Sequence, residues 1–144
     1  MPQIKFVRCS ITAKLPRKSH PEDVGYDVFA DEEVCIRPGC TACVDTGLKM
    51  SMPTGWECQI RPRSGLALKN GITVINAPGT IDPNYRGLVK IALINHGREQ
   101  FLITKHMKVA QFVFKQVPEV SIIEVDELDE TSRGEGGFGS TGTH

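Results

Sequence analysis

The segment RPRSGLA, residues 61–67, combines an arginine, a hydroxyl and the start of the only helical pattern in the chain. Backbone amides at a helix start, the guanidinium of Arg63 and the hydroxyl of Ser64 together suit the binding of phosphate. Taken alone, such a segment is more often an ordinary helix cap beside a surface arginine. Its combination with other segments has to decide between these interpretations.

The segment NAPGTIDPNYRG, residues 76–87, places a carboxylate and an aromatic ring on either side of a turn signal. Pro83 and Asn84 are typical of a tight turn, so the segment is predicted to form a β-hairpin. Asp82 and Tyr85 could then face one pocket, where the carboxylate would orient water and the ring would press on a sugar. Alternatively, Asp82 caps the turn and Tyr85 packs against the protein.

Two predicted strands carry a polar residue where an apolar one is usual. In GYDVFA, strict alternation puts Asp27 on the same face as Phe29, where the carboxylate either faces solvent or holds a metal ion through water. In KVAQFVF, the amide of Gln111 can donate to phosphate or simply pair with a neighbouring strand. Without context, pairing is the simpler interpretation for Gln111.

The glycine-rich end RGEGGFGSTG, residues 133–142, carries Arg133, Phe138, Ser140 and Thr141 among its glycines. Composition alone favours a frayed terminus, because such a segment cannot bury enough surface to become ordered by itself. The arginine, the ring and the hydroxyls nevertheless supply a charge, a stacking face and donors, and glycine-rich backbone can form an anion nest. Together with the other four segments, these groups predict a flexible lid over residues 127–144 that grips phosphate, attached to a single folded domain over residues 1–126.

The elements that must position these groups are short strands, because β-branched and aromatic runs recur between Gly, Pro and Asn. The pattern predicts an all-β protein, a distorted jelly roll or β-barrel with one short helix. The helix is predicted over Ser64–Asn70, with Ser64 as its cap and a left-handed Gly71 at its end. The predicted strands are 4–8, 26–30, 33–36, 42–50, 56–61, 72–75, 87–94, 100–104, 108–114 and 120–123.

Composition excludes several classes of protein. The 144 residues include 17 basic and 17 acidic side chains, so no global field attracts a nucleic-acid polymer. No apolar stretch is long enough for a membrane span, and the first residues do not resemble a signal peptide. We expect an intracellular, soluble protein, cytoplasmic or also nuclear, without a membrane partner.

The cysteines are expected to be free thiols. There are five of them at irregular spacing, which does not suggest a disulfide framework. Cys35, Cys40 and Cys43, with Cys58 as a fourth, have the spacing of plant-type iron–sulfur ligands. They fall in or beside strand patterns rather than in ligand loops, however, and a zinc pair at Cys40 and Cys43 lacks a second pair of ligands.

Taken in order, GYDVFA, PRSGLA, GTIDPNYRG, KVAQ and RGEGGFGSTG resemble the five motifs of the homotrimeric dUTPase family. The resemblance extends from about Asp23 to Gly142. It implies Mg²⁺-assisted hydrolysis of dUTP to dUMP and pyrophosphate, which limits uracil incorporation into DNA and supplies dUMP for dTMP synthesis. It also implies a homotrimer in which each active site combines motifs from three chains.

The resemblance further implies a role for each matched residue. Asp82 matches the carboxylate that deprotonates the water attacking the α-phosphorus, Tyr85 the ring that excludes a 2′-hydroxyl, and Asp27 the acid that holds Mg²⁺ through water. Matched substrate contacts are Asn76, Gly79, Thr80 and Ile81 around uracil, and Arg63, Ser64, Gly65 and Gln111 on phosphate. In the tail they are Arg133 on the γ-phosphate, Phe138 on the uracil ring, and Gly139, Ser140 and Thr141.

The sequence departs from the family pattern at a few positions. His106 and Met107 replace a usual Gly-Asp pair, Leu88 stands where an acidic or amide residue is common, and Thr80 where an aliphatic one is frequent. Histidine tolerates positive φ better than branched residues, which would allow His106 to keep the turn. Two other functions stay open: a dCTP deaminase-like enzyme of the same fold, and a non-catalytic nucleotide-sensing protein.

Overall fold

The computed structural model describes residues 1–144 and contains eleven strands and one helix. The prediction of an all-β chain with a single short helix is confirmed. The strands are β1 Lys5–Arg8, β2 Tyr26–Phe29, β3 Val34–Ile36, β4 Thr41–Asp45, β5 Leu48–Ser51, β6 Trp56–Arg61, β7 Ile72–Val74, β8 Gly79–Ile81, β9 Lys90–Asn95, β10 Phe101–Ile103 and β11 Lys108–Gln116. The helix α1 spans Ser64–Asn70.

The strands form a distorted jelly-roll barrel of small antiparallel sheets. The largest has the order β2-β11-β6-β8 and the next β4-β9-β7, while β1 pairs with β5 and β10 with β3. Most of the paired strands are distant in sequence. For example, β2 begins at Tyr26, whereas its partner β11 begins at Lys108. The fold therefore brings the predicted motifs together across sheets.

The barrel interior is filled by alternate side chains of the strands. In β9, Ile91 and Leu93 are fully buried between partly exposed neighbours, as expected for a strand with one face on the core. Phe112 of β11 is the largest fully buried side chain. The core cluster also includes Cys58, so the sulfur serves as a small apolar group.

Cys58 is the cysteine that should resist modification. Burial, with a smaller contribution from Glu57, raises the pKa of its thiol from 9.0 to about 12, which means about a thousandfold less thiolate at neutral pH. We expect iodoacetamide to leave Cys58 unmodified in the native protein and to alkylate it in urea, as peptide mass spectrometry would detect. Exposed Cys9 provides the internal control. Equal native rates at Cys9 and Cys58 would contradict this packing.

Three predicted elements differ from the structure. The predicted strand 120–123 is absent, because Val120 and Ile122 are exposed and no strand of the chain pairs with them. The predicted strand 42–50 is broken after Asp45, where Gly47 adopts a φ of 67°. The predicted hairpin is also wrong: β8 pairs with β6, whereas β9 pairs with β4 and β7.

The prediction for the helix is correct in its bounds and its end. Gly71 has a φ of 68° and its N–H donates to the carbonyls of Ala67 and Leu66, so the left-handed C-cap is confirmed. The prediction of Ser64 as the N-cap is wrong, because Arg63 is the N-cap residue and no side chain caps the helix. Ser64 is the first helical residue, which leaves its hydroxyl available to a ligand.

Beyond β11 the chain has neither helix nor strand, and residues 117–135 are exposed throughout. No helix in the structure has the length and apolarity that a membrane span requires. The cysteines lie on different strands and loops and all are free thiols. No three His, Cys, Asp or Glu side chains form a cluster that could hold a metal ion.

Candidate functional site

Most of the residues with predicted roles in the barrel line two different pockets. The first, which we call the charged pocket, has a volume of about 380 Å³ and is lined by Ser19, Asp23, Val24, Gly25, Asp27, Arg63, Ser64, Gly65 and Gln111. The second, the hydrophobic pocket, has a volume of about 590 Å³ and is lined by Cys43, Ile60, Asn76, Thr80, Ile81, Asp82, Tyr85, Leu88, Val89 and Lys90. Each pocket thus collects residues from segments that are far apart in sequence.

The charged pocket is built where β11 pairs with β2 and β6. Gln111 lies between Asp27 on one side and Arg61 on the other. Arg63 follows β6 and its guanidinium reaches back, with Nε 3.5 Å from Asp27 Oδ1. Lys108, at the start of β11, places its Nζ 2.9 Å from Asp27 Oδ2. Two cations, Arg63 in the pocket lining and Lys108 beside it, therefore contact the Asp27 carboxylate.

Asp27 is held as a carboxylate by its neighbours. Burial raises its pKa, but hydrogen bonds from Lys108 and Ser19 and the charges of Lys108 and Arg63 outweigh it and lower the pKa below 3.8. Because this pKa is lower in the folded chain than in the unfolded chain, ionised Asp27 stabilises the fold at pH values above its ordinary pKa of 3.8. The contribution is lost as the pH falls through the lower, folded-state pKa.

Replacing Lys108 tests this account of Asp27. Lys108→Gln removes the charge and the ammonium donor, so we expect the pKa of Asp27 to rise. Carbon-13 NMR titration of the carboxyl in metal-free buffer measures it. Lys105→Gln, at an exposed lysine nearby, is the matched control and should leave that pKa unchanged. An unchanged pKa of Asp27 in Lys108→Gln would contradict the role of Lys108 and show that Arg63 and Ser19 are sufficient to keep that pKa low.

For Gln111 the structure shows the strand-pairing interpretation, while donation to phosphate stays a prediction. Its backbone pairs with both neighbouring strands, and its side-chain Nε2 donates to Pro62 O at 3.0 Å. The helix start completes the pocket: the first helical bond runs from the N–H of Ala67, so the amides of Ser64 and Gly65 have no intrahelical partner. These groups can donate to an anion.

The loop over residues 82–88 is braced by its own hydrogen bonds. The N–H of Tyr85 donates to Asp82 O at 3.1 Å, which closes the predicted turn. The Arg86 guanidinium donates to Pro83 O at 2.7 Å, and Tyr85 Oη donates to Leu88 O at 2.9 Å. Asp82 and Tyr85 line one pocket, as their spacing predicts, with the Asp82 carboxylate exposed.

Strand β8 forms another wall of the hydrophobic pocket. Thr80 and Ile81 line it together with Asn76, which precedes the cis Ala77–Pro78 peptide. Gly79 does not line the pocket directly. It pairs with Ile60, and a Cβ atom there would lie 3.1 Å from Ile60 Cβ and 3.3 Å from Asn76 Nδ2, so both side chains pack closely against the glycine.

Asp82 and Arg63 follow opposite ends of the part of β6 that pairs with β8. The ladder ends where Cys58 pairs with Ile81, so Asp82 comes next toward the start of β6, whereas Arg63 comes after its last residue, Arg61. The Asp82 and Arg63 side chains line different pockets of one chain. One chain alone does not bring the carboxylate and the arginine to the same place.

The tail contacts neither pocket. Its hydrogen bonds are internal, such as that from Arg133 Nε to Gly136 O at 2.7 Å. Phe138 is fully exposed, with a φ of 51°. Gly139, Ser140 and Thr141 are likewise exposed.

Several pocket residues were not predicted from the sequence. Ser19, Asp23, Lys108, Cys43, Leu88 and Lys90 all lie in or at the rim of a pocket. Ser19 reaches Asp27 because Arg17 forms a β-bridge with Asp27, which the loop sequence does not indicate. Of these residues, only Lys108 could have been found from the sequence, because it begins the predicted strand that carries Gln111.

His106 resolves one departure noted in the sequence. It adopts a φ of 68°, the conformation for which glycine is usual, and its imidazole Nε2 hydrogen-bonds to Thr12 O at 2.7 Å. The turn before β11 is therefore kept with histidine in place of glycine. That contact also joins the turn to the loop after β1.

Comparisons with known proteins agree with one another. The sequence model of the dUTPase family matches residues 12–142. The chain is 58% identical over 139 residues to the deoxyuridine 5′-triphosphate nucleotidohydrolase of Alkaliphilus metalliredigens, covering 96% of each chain. It superimposes with a TM-score of 0.90 and 25% identity on a mutant dUTPase of Staphylococcus bacteriophage 80alpha with dUpNHpp, covering 98% of this chain and 99% of that one.

A further solved structure is similar in fold. It is a mutant dUTPase from phage phi11 of S. aureus, which coordinates a structural Mg(II) ion, with a TM-score of 0.81 and 23% identity. It covers 89% of this chain and 99% of that one. At this identity the likeness concerns the fold alone.

Proposed function

This chain belongs to the dUTPase family, and from that membership and its two pockets we infer that it hydrolyses dUTP to dUMP and pyrophosphate. The observation that carries the inference is the pairing of Asp82 with Tyr85 in one pocket, inside the matched family range. The reaction removes dUTP from the DNA precursors and supplies dUMP for dTMP synthesis. This role suits the cytoplasm, where such precursors are made.

Asp82 is the general base of the proposed reaction. Its exposed carboxylate accepts the proton of a water molecule whose oxygen forms a bond to the α-phosphorus. The bond between the α-phosphorus and the bridging oxygen breaks, and pyrophosphate leaves with the electron pair. The hydrogen bond of the turn uses the backbone carbonyl of Asp82, so the side chain stays available for this task.

The hydrophobic pocket recognises the nucleoside. The Tyr85 ring, held by its hydrogen bond to Leu88 O, lies against the deoxyribose and leaves no room for a 2′-hydroxyl. Asn76, with the backbone of Gly79, Thr80 and Ile81, reads the edge of uracil. Apolar walls such as Ile60 and Ile81 exclude water from the base.

The charged pocket binds the phosphates. Arg63 and the amides of Ser64 and Gly65 supply charge and donors, and the Gln111 amide adds a further donor. Lys108 raises the local positive charge, which helps to neutralise a triphosphate before water can approach phosphorus. Because the chain as a whole has no net charge, binding of this anion depends on these local cations and donors.

Mg²⁺ fits this pocket as an ion held through water. Asp27 Oδ2 already accepts hydrogen bonds from Lys108 and Ser19, whereas Oδ1 has only the longer Arg63 contact and can accept from a metal-bound water. No protein cage is present, and none is needed, because Mg²⁺ usually keeps several waters and takes its other ligands from substrate phosphates. When bound, the ion neutralises charge on those phosphates.

The division of the site residues between two pockets supports an active site shared between copies of the chain. Asp82 lines the hydrophobic pocket and Arg63 the charged pocket, and no contact joins the two side chains within one chain. We propose a homotrimer in which the hydrophobic pocket of one copy faces the charged pocket of another. The exposed apolar side chains of Val120 and Ile122 are consistent with burial against a second copy.

The tail supplies the last part of the site as a lid. In the proposed closed state Arg133 contacts the γ-phosphate, Phe138 stacks on uracil, and Gly139, Ser140 and Thr141 donate to phosphate. The absence of hydrogen bonds between tail and barrel supports a segment that is flexible without substrate. Closure excludes water from the phosphates, and opening allows product release.

Pyrophosphate release from dUTP, dTTP, dCTP and UTP, measured with Mg²⁺, tests base, sugar and reaction type together. We expect release from dUTP and at least about a hundredfold less from the other three. Ammonia release from dCTP would instead indicate the deaminase of the same fold. Tight binding of dUTP without pyrophosphate would indicate a nucleotide sensor.

A further inference from the structure

At Gly25 and Gly87, glycine is required by the space around the residue rather than by its backbone conformation. Seven glycines of the chain adopt positive φ, where other residues are strained, but these two do not. Alanine could therefore adopt their backbone conformations. What distinguishes them is the side chain that occupies the space where a Cβ atom would lie.

At Gly87 the space is filled by the Tyr85 ring. A Cβ atom there would lie 2.4 Å from Tyr85 Oη, 2.6 Å from Cζ and 3.0 Å from Cε2. Carbon atoms in contact are normally about 3.5–4.0 Å apart, so the ring would have to move. Moving it would break the 2.9 Å hydrogen bond from Tyr85 Oη to Leu88 O. The obstructed atoms belong to the end of one side chain, so the barrel itself need not change.

At Gly25 the space is filled by the Gln111 side chain. A Cβ atom there would lie 1.9 Å from Gln111 Oε1, 2.9 Å from Cδ and 3.2 Å from Cβ. The backbone of Gln111 is fixed by ladders to Asp27 and Arg61 on both sides. We therefore expect the side chain to respond, and turning it away would break its 3.0 Å bond to Pro62 O.

We propose that Gly25 and Gly87 are positioning residues of the dUTP site, Gly25 in the charged pocket and Gly87 beside Tyr85 of the hydrophobic pocket. Gly87 leaves the space in which the Tyr85 ring lies against the sugar, and Gly25 leaves the space in which the Gln111 amide faces the phosphates. The expected kinetic effects rest on the proposed function, whereas the expected positions of the Tyr85 and Gln111 side chains do not depend on it.

The test for Gly87 is a double-mutant cycle with Tyr85. We expect Gly87→Ala to lower the ratio of kcat/KM for dUTP over UTP at least about tenfold, because the displaced ring no longer blocks a 2′-hydroxyl. In a Tyr85→Ala background the same substitution should change that ratio less than about twofold, because its target is gone. Additive effects, or an unchanged ratio in Gly87→Ala, would overturn the role of Gly87.

Melting temperature and structure give readouts without substrate. We expect Gly87→Ala to lower the melting temperature and Tyr85→Ala with Gly87→Ala to recover it, since the obstruction is removed. A crystal structure of Gly87→Ala should show Tyr85 Oη no longer bonded to Leu88 O. An unmoved ring would overturn the positioning role even if dUTP is hydrolysed. A displaced ring in a protein that does not hydrolyse dUTP would support it while rejecting the proposed function.

The test for Gly25 is the corresponding cycle with Gln111. We expect Gly25→Ala and Gln111→Ala to raise the KM for dUTP by similar factors, at least about fivefold, with a smaller effect on kcat. The double variant should match Gln111→Ala within about twofold. A Gly25→Ala protein with wild-type KM, or a double variant whose effects multiply, would overturn the role of Gly25.

Discussion

Asp82→Asn should turn over dUTP at least roughly a hundredfold more slowly than the wild-type protein while binding it with similar affinity. An amide has almost the same shape as a carboxylate but cannot accept the proton of the attacking water. The fold should tolerate the change, because the Asp82 side chain is exposed and the turn is closed through its backbone carbonyl. The loss is therefore expected in kcat rather than in KM.

Single-turnover pyrophosphate release and calorimetric titration with dUpNHpp separate these two effects. Asp126→Asn makes the same chemical change at an exposed position outside both pockets and is the matched control. We expect it to behave as wild type. Comparable turnover by Asp82→Asn would refute the assignment of Asp82 as the base, whereas lost binding would indicate that the carboxylate holds the loop or the ligand.

Truncation after Glu130 should leave a folded protein that retains at most about one hundredth of the activity. The fold survives because the hydrogen bonds of residues 131–144 are internal to the tail, so the barrel loses no bond to it. Activity is lost because Arg133 no longer neutralises the γ-phosphate and Phe138 no longer covers the base. The phosphates also stay open to water.

Thermal unfolding and pyrophosphate release, measured on the same preparation, test both parts of this expectation. Removal of only Thr143 and His144 is the matched control, because it shortens the tail without touching the predicted contacts. Arg133→Gln and Phe138→Ala in the full chain would show which contact dominates. Full activity after truncation would remove the tail from the mechanism, and a lowered melting temperature would reveal a contact with the barrel.

Local features of the fold could be predicted because neighbouring residues determine them. Gly71 ends the helix in a left-handed conformation that glycine adopts without steric cost, and Pro83 with Asn84 forms the turn that aligns Asp82 and Tyr85. The strand alternation that predicts a core face is likewise local and holds in β9. Each contiguous motif therefore indicates, from its own residues, the chemical groups that it contributes to the site.

Predictions that depended on a partner strand were less successful. The segment at 120–123 has strand-forming residues but no partner within the chain, and residues 76–87 connect two sheets instead of forming a hairpin. The ion pair between Lys108 and Asp27 also escaped prediction, because it requires β2 to lie beside β11. Side-chain pattern predicts that a strand forms, not which strand it joins.

By itself, then, the sequence determined the strand class, most of the strands, the helix end and the chemical groups of the site. The tertiary structure decided that Asp27, Arg63 and Gln111 meet in one pocket while Asp82 and Tyr85 line another. The reason is that backbone hydrogen bonds are alike for any two strands, so pairing is selected by the packing of the whole core. That packing also placed side chains in the space beside Gly25 and Gly87.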